Sequence, residues 1–254
     1  MLKSHFKGTG LKFKEHQIYS HGDDVRFIDW KMLAKTNLPY IKTFEEDRNI
    51  EITVLLDCSR GMMMGYDGKT KIEAAIEITS LLYLLSGTTN DYVQTILCMG
   101  NRNVRVPKKR GEAGIIALVD TLKSNGLLDG EGNINHAFTA KSDNKSEAEK
   151  SLIKEFYRKR EVVVLSDFYD FLSTQALKSL VIRKHVHAFR MLTPLDHADD
   201  FKYSIKATSF SGKNKGVLDM KLDTKKDKHI PSELRLKDLF LEKRYLEDFV
   251  KEML

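Results

Sequence analysis

The stretch Glu51–Gly61, EITVLLDCSRG, decides the fold of this chain. Ile52, Val54, Leu55 and Leu56 form a short, dense apolar run that breaks at once into Asp57, Ser59 and Gly61. A buried parallel strand ends in a polar loop in this way. In open α/β sheets ligands bind in the crevice beyond the carboxyl ends of the strands, so Asp57 is the residue to explain.

The pattern recurs downstream. An amphipathic segment from Ser146 to Arg160, with Ala148, Leu152, Ile153 and Phe156 on one face, feeds the apolar run Val162 to Leu165, which stops at Ser166-Asp167. Between the two runs, Lys71 to Leu85 reads as a helix apolar around so much of its circumference that it must be largely buried. Asp91 to Met99 reads as a strand, with Asn101-Arg102-Asn103 as a turn and Val104 to Val106 as its hairpin partner. Ala113 to Lys123 is amphipathic, and a further helix is expected to start at Asn135. Helix Thr174 to Arg183 and strand Val186 to Leu192 continue the alternation, which predicts a mostly parallel α/β sheet.

The flanks differ in character. Asp23-Asp24 opens a helical pattern of Val25, Ile28, Met32 and Leu33, so either aspartate fits an N-cap. Tyr40 to Phe44 alternates like a strand. Beyond Pro194, Ser204 to Phe210 and Val217 to Leu222 read as a hairpin, and Ser232 to Leu254 as a terminal helix with Leu239, Tyr245, Leu246, Phe249 and Val250 on its apolar face.

Composition excludes several classes. With 41% hydrophobic and 31% charged residues, and only 4 prolines and 15 glycines in 254 residues, the chain is neither disordered nor low-complexity. A formal charge of +6 is only mildly basic. The basic clusters Lys108-Lys109-Arg110 and Lys225-Lys226-Asp227-Lys228 lack interleaved aromatics, so no nucleic-acid partner is expected. Cys58 and Cys98 form no paired framework, which suits a reducing cytoplasm. The longest apolar stretch, Ile76 to Leu85, is too short to span a bilayer.

If the two aspartate-ended strands are neighbours, Asp57, Ser59 and Asp167 converge with oxygen ligands only. Such a set favours Mg²⁺, Mn²⁺ or Ca²⁺ over zinc. The same side chains equally serve to satisfy backbone N–H groups in tight loops. Gly8-Thr9-Gly10 has Phe13 at the third position of a dinucleotide fingerprint, and Gly68-Lys69-Thr70 has Met63 where a phosphate loop requires glycine, so neither is a nucleotide site. His185 and His187 share a strand face without a third ligand nearby. No hydrolase nucleophile motif is present.

The segment GDDVRFIDWKMLAK, Gly22 to Lys35, followed by YIKTFEEDRN, Tyr40 to Asn49, and then LLDCS, Leu55 to Ser59, resembles the bacterial domain of unknown function 58 family. Tyr19, Gly22, Asp23, Asp24, Arg26, Ile28, Asp29 and Trp30 stand in the family's order and spacing, and SDFYDF, Ser166 to Phe171, follows at the later strand. The resemblance runs from about Gly8 to Leu222. Family members usually carry a further N-terminal segment, so this chain is expected to be short at its start.

The resemblance implies a three-layer von Willebrand factor A-like, Rossmann-like domain with helices on both faces of a mostly parallel sheet. Residues 1–50 would be a signature segment packing on the main domain, 51–195 the α/β domain, and 196–254 a hairpin and helix extension. It also implies a metal-ion-dependent adhesion site of the form Asp-x-Ser-x-Ser, with a threonine and a further aspartate from other loops. Asp57, Ser59 and Asp167 match. Gly61 replaces the second serine and the threonine position falls on Gly132, so Mg²⁺ or Mn²⁺ would depend on waters or Asn133 to complete its sphere.

Two function classes follow. The first is a non-catalytic protein-binding adaptor that the resemblance pairs with a MoxR-type AAA+ ATPase in assembly or remodelling of other proteins. The second is a metal-dependent hydrolase at the Asp57 and Asp167 edge, with His136 as the nearest histidine by sequence. The signature is read as an internal brace, with Arg26 pairing to Asp23 or Asp29 and Trp30 covering the core; the alternative has it facing a partner.

Overall fold

The computed structural model describes residues 11–20, 23–46, 50–140, 145–156, 161–169, 171–181, 185–197, 205–208, 215–218, 230–231 and 233–253. Gly22, the Gly8-Thr9-Gly10 stretch and the Lys225–Lys228 cluster lie outside them. The chain divides into two compact units, Lys3–Ile50 and a larger one from Glu51 to Leu254.

In the smaller unit, β1 (Leu11–Ile18) pairs antiparallel with β2 (Tyr40–Glu46), and a 3-10 turn at Val25–Phe27 and helix α1 (Trp30–Thr36) lie between them in sequence. The continuous helix expected from Asp23-Asp24 is instead two pieces. Asp24 caps the 3-10 turn, Ile28 is extended and bridges Ile41, and Asp29 caps α1. The apolar spacing across Val25 to Leu33 is helical, but the Ile28 backbone is drawn into a β-bridge that the spacing does not encode.

The larger unit opens with β3 (Glu51–Asp57), then a small hairpin of β4 (Gly65–Tyr66) and β5 (Lys69–Thr70), helix α2 (Lys71–Thr89) and strands β6 (Tyr92–Cys98) and β7 (Asn103–Arg105). Helices α3 (Gly111–Ser124) and α4 (Lys145–Phe156) precede β8 (Glu161–Ser166), α5 (Thr174–Val181), β9 (Val186–Leu192) and the short α6 (Pro194–His197). After the antiparallel pair β10 (Ile205–Thr208) and β11 (Lys215–Leu218) come β12 (Leu236–Phe240) and α7 (Tyr245–Met253).

A 6-stranded sheet runs in the order β12-β9-β8-β3-β6-β7. Every pairing in it is parallel except β6 with β7. From β3 the chain builds outward through β6, then returns to β8 on the other side. The order therefore reverses between β3 and β8, the switch point beside which α/β sheets place their ligand crevice.

The sheet has two dry faces. One register row, Leu236, Ala188, Val164, Leu55 and Ile96, lies in a core cluster with Leu152 of α4 and Leu177 and Leu180 of α5. On the other face Tyr83 of α2 meets Thr95 at 3.1 Å, and Phe249 of α7 packs in a tilted pair with Phe189 at 4.8 Å between centroids. The result is three layers, helix on sheet on helix, as expected.

Two readings are corrected. The segment Ser232 to Leu254 is not one helix: Leu236–Phe240 is an edge strand beside β9, and only Tyr245–Met253 is helical. Leu239 is fully buried within the strand, not on a helix face. Spacing compatible with a helix yields here to the unpaired backbone of a sheet edge. Asn135 opens a single turn, Phe138 N–H to Asn135 O at 2.9 Å, and no helix. The Gly68-Lys69-Thr70 stretch is a hairpin turned at Asp67 and Gly68, with φ of 50° and 80°, followed by a capping box of Thr70 and Glu73.

Helix α3 can approach α2 because residue 114 is glycine: a Cβ there would collide with the buried Tyr83 ring. Gly114→Ala should therefore cost about 1–3 kcal/mol in urea unfolding by overpacking. Gly130→Ala, where a Cβ meets open space, should stay within about 0.5 kcal/mol of wild type. Equal midpoints for the two variants would mean that α3 is not seated on Tyr83.

Candidate functional site

Leu56 and Leu165 are register partners, so the residues that end β3 and β8 stand side by side. Ser166 Oγ donates to Asp57 Oδ2 at 2.6 Å. Ser59 donates its N–H to Asp57 Oδ1 at 2.8 Å and its hydroxyl to Oδ2 at 3.1 Å. The sequence reading of an Asp57 and Ser59 pair at a strand end is thus a hydrogen-bonded loop in the structure.

Asp167 is placed by the next turn of chain. Ser166 Oγ accepts from Phe168 N–H at 2.8 Å and Asp167 Oδ1 accepts from Tyr169 N–H at 3.1 Å. Phe168 sits at φ 60°, a left-handed backbone that is strained for a side chain of its size. Its ring is buried in the cluster of α4 and α5 and meets Phe171 edge-on at 6.0 Å, which holds the turn.

The cation in this edge is a lysine. Lys71, the first residue of α2, is 1% exposed. Its Nζ lies 3.5 Å from Asp167 Oδ2 and 3.0 Å from Asp196 Oδ2. Asp196 in turn accepts from the N–H and hydroxyl of Thr193 at 2.7 and 2.8 Å, which ties in the end of β9. Gly61 lies against Asp167, and a Cβ at that position would run into Oδ2.

Burial and the neighbouring Asp167 carboxylate push the Asp57 carboxyl up to about 7, against its three hydrogen bonds. Burial also raises Asp167, while Lys71 acts in the opposite direction. Both buried thiols, Cys58 and Cys98, are pushed well above the ordinary range by burial.

Beside Asp57 a cavity of about 200 Å³ is lined by Ser59, Arg60, Thr139, Lys145 and Glu149 among others. Gly132, where the resemblance puts a threonine, is instead in a turn at φ 96°, and Asn133 is bonded to Asp129 in the same turn. Thr139 is the threonine that reaches the Asp57 cavity. His136 is exposed in the turn after Asn135. His185 and His187 lie 3.6 Å from Glu161, at the opposite end of the sheet from Asp57.

Sequence reasoning missed Ser166, Lys71, Asp196 and Thr139. Lys71 carried a signal: a lysine at the positive end of a helix with buried flanks is unfavourable unless carboxylates face it. Ser166 and Asp196 emerge only from the pairing of β3 with β8 and the position of α6, and Thr139 only from the cavity it lines.

The signature resolves differently in each residue. Asp29 is the brace: it accepts from Lys31 and Met32 N–H at 3.0 and 3.2 Å, lies 3.0 Å from His16 Nε2 and 3.2 Å from Lys42 Nζ. Asp23 accepts from Ser20 N–H at 2.8 Å. Arg26 pairs with Asp24, at 2.6 Å, and not with Asp23 or Asp29. Trp30 is 67% exposed, so the expectation that it covers the core is wrong.

Residues 15–200 match the family profile described as Protein of unknown function DUF58. Uncharacterized proteins of Mycobacterium bovis and Mycobacterium tuberculosis are 23% identical over 190 residues, 74% of this chain. The chain spans 57% of the length of these curated relatives. Among solved structures, BatB from Bacteroides thetaiotaomicron aligns over 80% of this chain and 96% of its own, with 14% identity and a TM-score of 0.47. The SpRpn10 VWA domain aligns over 81% and 95%, with 12% identity and a TM-score of 0.41.

Two outcomes follow from the geometry. Ser166→Ala strips a donor from Asp57 and an acceptor from Phe168 N–H, and should cost about 1–3 kcal/mol in urea unfolding; a neutral result would remove the hydrogen bond from the account. The hydrogen bond from His16, helped by those from Met32, Lys42 and Lys31, holds the Asp29 carboxyl well below its ordinary 3.8. A depressed carboxyl stabilises the folded unit above the unfolded value and loses that contribution as pH falls through the folded one. The fluorescence of Trp30, the chain's single tryptophan, should report an acid transition below about pH 4 in wild type that is shifted and flattened in Asp29→Asn. Superimposable acid titrations would contradict it.

Proposed function

The chain belongs to the family described as Protein of unknown function DUF58, and from that premise we propose that it is a non-catalytic protein-binding module whose docking face is the carboxyl edge of β3 and β8. One observation carries this reading. Around the hydrogen-bonded floor of Asp57, Ser166, Asp167 and Lys71, the loops that follow β3 and β8 hold out Met64, Tyr66 and Tyr169 at 48%, 46% and 37% exposure. Methionine and tyrosine are enriched in protein interfaces, where they give apolar area with adaptable or amphipathic tips.

The floor supplies rigidity and the rim supplies contact. Every carboxylate oxygen of Asp57 and Asp167 already accepts from a partner within the protein. The loops are therefore preorganised, which lowers the ordering cost of association. The partner proposed is a MoxR-type AAA+ ATPase, on the strength of the family resemblance in the signature segment, with assembly or remodelling of other proteins as the shared task. The buried free thiols Cys58 and Cys98 fit a reducing cytoplasm, and among the described residues no helix is long and apolar enough to cross a membrane.

Two other readings are weaker. A metal-dependent hydrolase needs a cation with open coordination positions and a base beside it; the position of Lys71 between Asp167 and Asp196 weighs against that. A nucleic-acid surface needs free basic groups, whereas Lys108 is paired with Glu51 at 2.6 Å and Arg105 with Glu155 at 2.7 Å.

The test is recovery of a MoxR-type AAA+ ATPase on the tagged chain, with ATP and Mg²⁺ present, from its native cell. Wild type should enrich the ATPase, and the double variant Met64→Ala with Tyr66→Ala, two exposed rim side chains, should weaken recovery by about tenfold or more. Undiminished recovery by the variant would move the interface elsewhere, and no ATPase on either chain would remove this partner.

A further inference from the structure

We infer that Lys71 is the resident cation of the Asp57 and Asp167 edge, standing in for the divalent ion that an Asp-x-Ser-x-Ser site would hold, so that this docking face is built without metal. The inference goes beyond the docking proposal, since it concerns how the face is assembled and not what binds it.

Four features carry it. First, the Lys71 ammonium is buried at 1% exposure and faces carboxylates from two different elements, Asp167 of the loop after β8 at 3.5 Å and Asp196 of α6 at 3.0 Å. A buried ammonium persists only when paired in this manner. Second, the position at which the metal motif requires its second serine is Gly61, and even one carbon there would strike Asp167 Oδ2. The loop is closed against the aspartate at the point where a hydroxyl ligand would project.

Third, the oxygens that would face an ion are occupied by protein donors. Asp57 accepts from Ser59 N–H, Ser59 Oγ and Ser166 Oγ; Asp167 accepts from Tyr169 N–H and Lys71. A divalent ion would have to displace these bonds or share their oxygens, in a position close to a fixed positive charge. Fourth, the ammonium performs the joining that a bound ion performs: through it the start of α2, the loop after β8 and the short α6 after β9 are drawn to one point.

Asp57, Ser59 and Asp167 therefore do not fit a divalent ion in this arrangement, although each occupies the place the motif assigns to it. The two carboxylates that face Lys71, Asp167 and Asp196, need a counter-charge, and the covalently attached one is always present.

The experiment compares wild type and Lys71→Met by thermal unfolding and by EPR titration with Mn²⁺. Wild type should show no saturable Mn²⁺ binding up to about 1 mM, the weak end of protein cation sites, and the same Tm in Mn²⁺ and in EDTA. Lys71→Met should lose more than about 4 °C in Tm and regain part of it with Mn²⁺, because the carboxylates are left without their cation. Saturable Mn²⁺ binding by wild type would overturn the inference by itself, so the test stands even if Lys71→Met does not fold. A folded Lys71→Met with an unchanged Tm, or with a loss indifferent to Mn²⁺, would overturn it as well. Each of these results leaves ATPase recovery untouched, so the docking proposal stands or falls separately.

Discussion

The parallel pairing of β3 with β8 is the constraint on which the rest of the larger unit depends. Its register sets Leu56 beside Leu165 and so delivers Asp57 and Ser166 to adjacent positions at the sheet edge. A slip of one residue would turn every side chain of β3 to the opposite face and replace Asp57 by Leu56 or Cys58 at the edge. The apolar burial on both faces prevents that slip, because Leu55 and Val164 belong to one core and Leu56 and Leu165 to the other. Packing of the hydrophobic rows is thus what positions the polar ones.

Legibility in the sequence follows the range of the interaction concerned. The strands at Glu51–Asp57 and Glu161–Ser166 and the helix at Lys71–Thr89 were readable because each is an unbroken apolar pattern decided within its own length. Asp57, Ser59 and Asp167 were readable as a group because they follow such runs. Ser166 and Asp196 were not, since nothing local distinguishes them from loop polar residues; they matter through partners 109 and 125 positions away, Asp57 and Lys71. The segment that became β12 was misread for the same reason, its state being fixed by the backbone of β9 and not by its own spacing.

The signature segment shows the limit of reasoning from residue type alone. Tryptophan is buried on average, yet Trp30 is exposed, and aspartate is mostly a surface residue, yet Asp29 is the buried one. What separates them is hydrogen-bonding capacity. A carboxylate can accept simultaneously from a helix N-terminus, His16 and Lys42, whereas an indole has a single N–H to offer. In a unit of this size a polar hub can organise more chain than an aromatic ring does.

The edge strand β12 carries a consequence for how the protein is made. Synthesis from the N-terminus delivers β9 well before Leu236–Phe240, with the β10 and β11 pair intervening. Until then the outer backbone of β9 and the Phe189 ring that α7 later covers stand open on the ribosome, a ready template for another nascent chain. Completion of this sheet therefore lags behind the synthesis of β9, and a chaperone that holds β9 in that interval would protect yield without altering the stability of the finished fold.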